Sequence, residues 1–99
     1  MTVEAIKQAD VLHIKIAGRF DFGAHKQFRE VTDLITAEIN KIEVDLSAAD
    51  YLDSSALGML LLLRDKVAGG QNRVELKGAR ADVKRILEIA NFHKLFIVS

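Results

Sequence analysis

Cysteine is absent from the 99 residues, which rules out disulfide staples, thiolate nucleophiles and sulfur-ligated metal sites. An excess of charge is missing too, because fourteen Lys and Arg balance fourteen Asp and Glu. Nucleic acid is held chiefly by basic surface, so no direct nucleic-acid partner is expected. No apolar run approaches the ~20 residues of a membrane span. The opening Met1-Thr2-Val3-Glu4-Ala5-Ile6-Lys7 lacks the basic, apolar and small-residue succession of a signal peptide. The expectation is a cytoplasmic protein with no membrane insertion. Repeats, low-complexity tracts and linkers are lacking as well. What is present is 49% hydrophobic and 28% charged, the balance of a folded globular chain. One domain over residues 1–99 is expected, with a core that needs no staples.

The periodicities give an order of elements. Thr2 to Gln8 and Asp10 to Ala17 predict an opening hairpin about Ala9-Asp10, with Leu12, Ile14 and Ile16 on one face and His13 and Lys15 on the other. Gly18-Arg19-Phe20-Asp21-Phe22-Gly23 reads as a turn. From Ala24 the period becomes 3.6, and Phe28, Val31, Ile35 and Ile39 predict a helix ending near Asn40. Lys41 to Leu46 and Arg73 to Lys77 alternate as strands. Val83, Ile86, Leu87 and Ala90 mark a last helix, and Lys94 to Val98 a last strand. Strands buried on both faces would be apolar throughout. These alternate, so all three helices are expected on one face of a mixed sheet, in an α/β arrangement.

The most informative stretch lies between those segments. Tyr51-Leu52-Asp53-Ser54-Ser55 offers side-chain oxygens where a helix could be capped. Ala56 to Leu63 then runs apolar apart from Gly58, with neither Pro nor a β-branched residue. Gly69-Gly70 would stop this helix. A surface helix normally has one apolar stripe, so part of this one is surplus. With Leu57, Leu60, Leu61, Val67 and Ala68 as the core stripe, Ser55, Met59, Leu62 and Lys66 form the outward one. That places Met59 and Leu62 in water as a contact patch.

Asp53-Ser54-Ser55-Ala56-Leu57-Gly58, preceded by Val44-Asp45-Leu46-Ser47 and followed by the apolar helix, resembles the Asp-Ser-Ser-Gly-Leu-Gly signature of the STAS domain. More narrowly, it is similar to that of bacterial anti-sigma factor antagonists. The resemblance extends over essentially the whole chain: Gly18-Arg19-Phe20-Asp21 stands where relatives have a Gly-x-Leu-Asp turn, and Ile89-Ala90-Asn91-Phe92 with Phe96 where they have the final helix exit and strand. Relatives usually have Gly at the position of Ala56; Ala is the better helix former. The resemblance implies a STAS-type fold and phosphorylation of Ser54 by a partner serine kinase that is also an anti-sigma factor. A metal-dependent serine phosphatase would reverse it. It also implies that the loops of Asp21 and Asp53 contact the kinase. Phe22, Ser55, Met59 and Leu62 complete the expected partner-binding set. The alternative is a constitutive STAS subunit, for example of a lipid-transport ATPase, with Ser54 only a cap; a ligand- or nucleotide-binding sensor is a third reading.

Enzymatic chemistry finds no constellation. Ser54 is outside a Gly-x-Ser-x-Gly elbow, and His13, His25 and His93 read as surface residues of a strand, a helix start and a loop. Gly18-x-x-x-x-Gly23 lacks the Lys-Ser/Thr of a phosphate-binding loop. Neither a metal nor a cofactor is expected.

Overall fold

Alternation of apolar and polar residues builds the sheet. The computed structural model describes residues 2–67 and 73–99. It contains β1 (Thr2–Gln8), β2 (Val11–Phe20), β3 (Lys41–Leu52), β4 (Val74–Lys77) and β5 (Ile97–Val98), with α1 (His25–Thr32), α2 (Ser54–Lys66) and α3 (Ala81–Ile89) between the later strands. The strands lie side by side in chain order. β1 runs antiparallel to β2, and all other pairs are parallel, as helical crossovers require. Leu12, Ile14, Ile42, Val44 and Leu76 form one buried cluster with Phe28 and Val31 of α1, Leu60 and Leu63 of α2, and Val83 and Leu87 of α3. The helices therefore share one face of a mixed sheet, as the alternation implied.

The opposite face is a lattice of charges. Glu43 receives His13 Nδ1 at 2.8 Å and Lys77 Nζ at 3.5 Å, while Lys41 reaches Glu43 at 3.5 Å and Glu75 at 3.2 Å. Glu43 and Glu75 are direct cross-strand neighbours, a repulsive pairing that Lys41 relieves. Each such half-exposed pair contributes about 0–1 kcal/mol. Its larger effect is on register, because a slip of one residue would turn these charges into the core.

Several expected boundaries move. α1 was expected to reach Asn40 and ends at Thr32, whose hydroxyl donates to the Arg29 carbonyl at 2.8 Å. Thr36 Oγ1 similarly accepts from the Glu38 N–H at 3.3 Å. Such local bonds compete with the helical ladder, and residues 33–40 form turns that leave Leu34 exposed and Ile39 buried. The expected turn at Gly18-Arg19-Phe20 is instead the end of β2, with a register shift at Gly18, whose φ is 81°. β3 continues past Leu46 to Leu52. Near the end of the chain, Phe92–Lys94 is a 3-10 turn and the last strand is only Ile97–Val98. The expected stop at Gly69-Gly70, with Ala68, lies outside the described residues.

The face of α2 is also corrected. Ala56, Met59, Leu60, Leu63 and Val67 are buried, and Met59 is only 4% exposed. Leu61, expected inside, is 36% exposed, whereas Leu62 is 58% exposed as expected. The helix is rotated so that α1 covers Met59, which an apolar sequence on all sides permits at no cost. Leu60→Ala should cost roughly 2–5 kcal/mol, and Leu62→Lys should stay within about ±0.5 kcal/mol. Urea unfolding of both variants checks this placement.

The charged face carries a pH dependence. The Ser99 hydroxyl, 2.6 Å from Glu75, and then Lys41 hold the Glu75 carboxyl below its usual range. The side chain and backbone N–H of Ser47 do the same for Asp45. A carboxyl whose folded value is depressed adds stability that is complete above the ordinary carboxylate range and is lost as pH falls through the folded value. Lys41 is raised by Glu75, so its contribution is lost only as pH rises through the folded lysine value. Melting temperature should therefore be flat near neutrality and fall below about pH 4. Glu75→Gln should make that acid limb shallower.

Candidate functional site

The ends of β2 and β3 meet where α2 begins. Asp53, extended in backbone, is its N-cap: Oδ1 accepts from the Ala56 N–H at 2.8 Å, and Oδ2 accepts from the Phe22 N–H at 3.3 Å. The Asp53 N–H in turn donates to the Phe20 carbonyl at 3.3 Å. One residue thus caps the helix and fastens the loop that follows β2. Asp21 caps the 3-10 turn Phe22–Ala24 through Gly23, at 2.9 Å, and pairs with Arg19 at 3.3 Å. Arg19 also lies over the Tyr51 ring, 4.1 Å from its centre, on the next strand. The loops of Asp21 and Asp53 are therefore brought together on one rim.

Because Asp53 performs the capping, Ser54 is released from it. Ser54 occupies the first turn of α2 and is exposed, while Ser55 is half-buried. Phe20 and Phe22, which strand alternation would send to one side, part company. Phe20 is buried against Phe28, with ring centres 5.4 Å apart, and Phe22 is 68% exposed and stacked on His25 at 5.7 Å. The strand ends at Phe20, so its period no longer applies at Phe22.

Beside this rim, α1 and α2 enclose a groove of about 340 Å³ lined by His25, Phe28, Arg29, Met59, Leu62 and Lys66, among others. Met59 belongs to its floor and not, as expected, to an exposed patch. Leu62 stands at its edge. The contribution of α1 escaped the sequence reading, although Phe28 and its neighbours at helical spacing were legible as one face of a helix. Among the described residues no group of three His, Asp or Glu converges on a metal-sized site, and no helix is long and apolar enough to cross a membrane.

The description "STAS domain" matches residues 2–99 as a family model. The chain belongs to the STAS domain family. A STAS-domain containing protein of Pseudomonas aeruginosa (strain UCBPP-PA14) is 46% identical over 101 residues, covering 100% of both chains. Among solved structures, a putative anti-sigma factor antagonist from Thermotoga maritima has a TM-score of 0.83 at 21% identity, over 97% of this chain and 84% of that one. The anti-sigma factor antagonist SpoIIAA in its unphosphorylated form scores 0.75 at 14% identity, over 99% and 87%. The phosphorylated form, from Bacillus, scores 0.74 at 15% identity, over 99% and 91%. A sulfate transporter family protein from Wolinella succinogenes scores 0.71 at 16% identity, over 90% and 73%. These likenesses establish the STAS fold of anti-sigma factor antagonists for this chain, a fold that transporter-associated domains share.

The division of labour between Asp53 and Ser54 has a measurable consequence. Asp53→Ala should cost about 1–2 kcal/mol by loss of the cap and the loop contact. Asp53→Asn, still a good cap, should cost less, and Ser54→Ala should stay within about ±0.5 kcal/mol. Chemical denaturation of the three variants checks the ranking.

Proposed function

We propose that this protein is a partner-switching regulator, an anti-sigma factor antagonist that acts by binding and not by catalysis. Unphosphorylated, it occupies a serine kinase that is also an anti-sigma factor; phosphorylated on Ser54, it releases that kinase, and a metal-dependent serine phosphatase resets it. Its place of work is the cytoplasm and its output is transcription. The observation that carries this reading is an exposed serine at the head of a helix whose cap is a different residue. A hydroxyl engaged in capping would have to leave its bond to be phosphorylated, and this one is available at no structural cost.

The physical chemistry of the switch is local. Phosphate adds about −1.5 to −2 charges, and the head of a helix favours an anion by ~0.3–1 kcal/mol. The fold therefore tolerates the modification, in keeping with the near-equal likeness of this chain to both forms of SpoIIAA. What changes is the surface. A doubly charged group beside Asp53, within reach of a partner seated on Phe22, Ser55 and Leu62, must be desolvated or repelled. Asp21 and Asp53 shape this rim chiefly through the loops they hold, and Met59 supports it from beneath.

Intact-mass analysis of the protein with its cognate kinase and ATP tests the assignment. One added phosphate should map to Ser54, vanish in Ser54→Ala and persist in Ser55→Ala. Ser54→Asp should weaken kinase binding while Ser54→Ala retains it, with both circular dichroism spectra close to wild type. Equal affinity of the two variants by calorimetry would favour a constitutive module, and label persisting in Ser54→Ala would sink the site.

A further inference from the structure

The groove between α1 and α2 has a shape and a charge that the switch at Ser54 does not account for. On α1 its wall is His25, Phe28, Arg29, Thr32 and Asp33, and on α2 it is Met59, Leu62 and Lys66. The spacings are i, i+3, i+4, i+7, i+8 and i, i+3, i+7, so each wall is one continuous helical ridge about two turns or ~10–12 Å long. Phe28 and Met59 are buried in the floor, whereas Leu62 is exposed at the mouth. A volume of about 340 Å³ suits a few aliphatic side chains and is too small for a whole helix. An elongated trough of this kind is what the apolar stripe of an amphipathic helix fills.

The mouth of the trough is cationic in a chain with no net charge. Arg29 and Lys66 stand on opposite walls with His25 at one end, against the single carboxylate of Asp33. Most ion pairs of the described residues lie elsewhere, on the open sheet face and around Arg19, and neither Arg29 nor Lys66 takes part in one among those residues. At Phe22, stacked on His25, the trough becomes continuous with the rim beside Ser54. We propose that the trough receives an acidic amphipathic helix of the partner protein, its apolar stripe seated over Phe28, Met59 and Leu62 and its flanking carboxylates facing Arg29 and Lys66. This rests on the reading that the Ser54 face binds a partner, and adds what that partner presents. It also gives phosphate on Ser54 an acidic segment to repel.

The probe is a stapled amphipathic peptide of about 14 residues with Leu at helical spacing and Glu elsewhere, beside a counterpart with Lys in place of Glu. Fluorescence anisotropy should show the Glu peptide binding at least about tenfold more tightly than the Lys peptide. Amide shifts should concentrate on residues 25–33 and 59–66. Arg29→Glu combined with Lys66→Glu should weaken the Glu peptide about tenfold, while Lys84→Glu with Arg85→Glu on α3 should not. If the first double variant melts early, Arg29→Gln and Lys66→Gln singly should each show part of the loss. Equal affinity for both peptides, no binding of either, shifts centred elsewhere, or indifference to charge reversal overturns the proposal. No kinase enters this titration, so its failure leaves the Ser54 mass measurement untouched, and an unmodified Ser54 leaves the titration readable.

Discussion

The rim where β2 and β3 meet α2 depends on where one carboxylate sends its two oxygens. Asp53 closes the first turn of α2 with one and holds the Phe22 N–H with the other. A helix start leaves several N–H groups without partners, and here the satisfaction of one of them is tied to the position of a neighbouring loop. The exposed serine, the exposed Phe22 and the stack on His25 all inherit their places from that bond pair. Because Asp53 does the capping, the Ser54 hydroxyl is not needed for it.

The sheet divides the remaining labour between its faces. The helix side is filled by aliphatic side chains whose burial supplies most of the driving force for folding. The open side is covered by alternating charges that contribute little individually. Their arrangement penalises a slipped register and keeps a broad sheet surface from becoming adhesive. Exposed apolar groups remain at the rim in Phe22 and at the mouth of the trough in Leu62, and also at Ile89 of α3 and Ile6 of β1.

Under the proposed function, a phosphate on Ser54 would stand at the head of a helix and not in its middle, which decides the kind of switch available. The helix dipole would accommodate charge added there, so such a modification would alter the surface and not unfold the chain. The burial of Met59 reinforces this. A helix anchored by Ala56, Met59, Leu60 and Leu63 is fixed to the core along its inner face, which holds its first turn in place.

The strand and helix order, the single covered face of the sheet, the resemblance carried by Asp53-Ser54-Ser55 and the outward exposure of Leu62 could all be read along the chain. Those features follow from local periodicity and capping chemistry, which neighbouring residues determine among themselves. Other features could not be read. After Thr32 the backbone turns to bonds three residues back, Leu34 to Val31 and Ile35 to Thr32, a choice that 3.6-residue spacing through Ile39 conceals. Gly18 continues a strand because β3 was there to pair with it. Above all, the run from Ala56 to Leu63 has no polar face, so nothing in it says which side is inside. Only the packing of α1 against α2 buried Met59 and left Leu61 and Leu62 at the surface, because the covered face of a uniformly apolar helix is decided by what lies beside it.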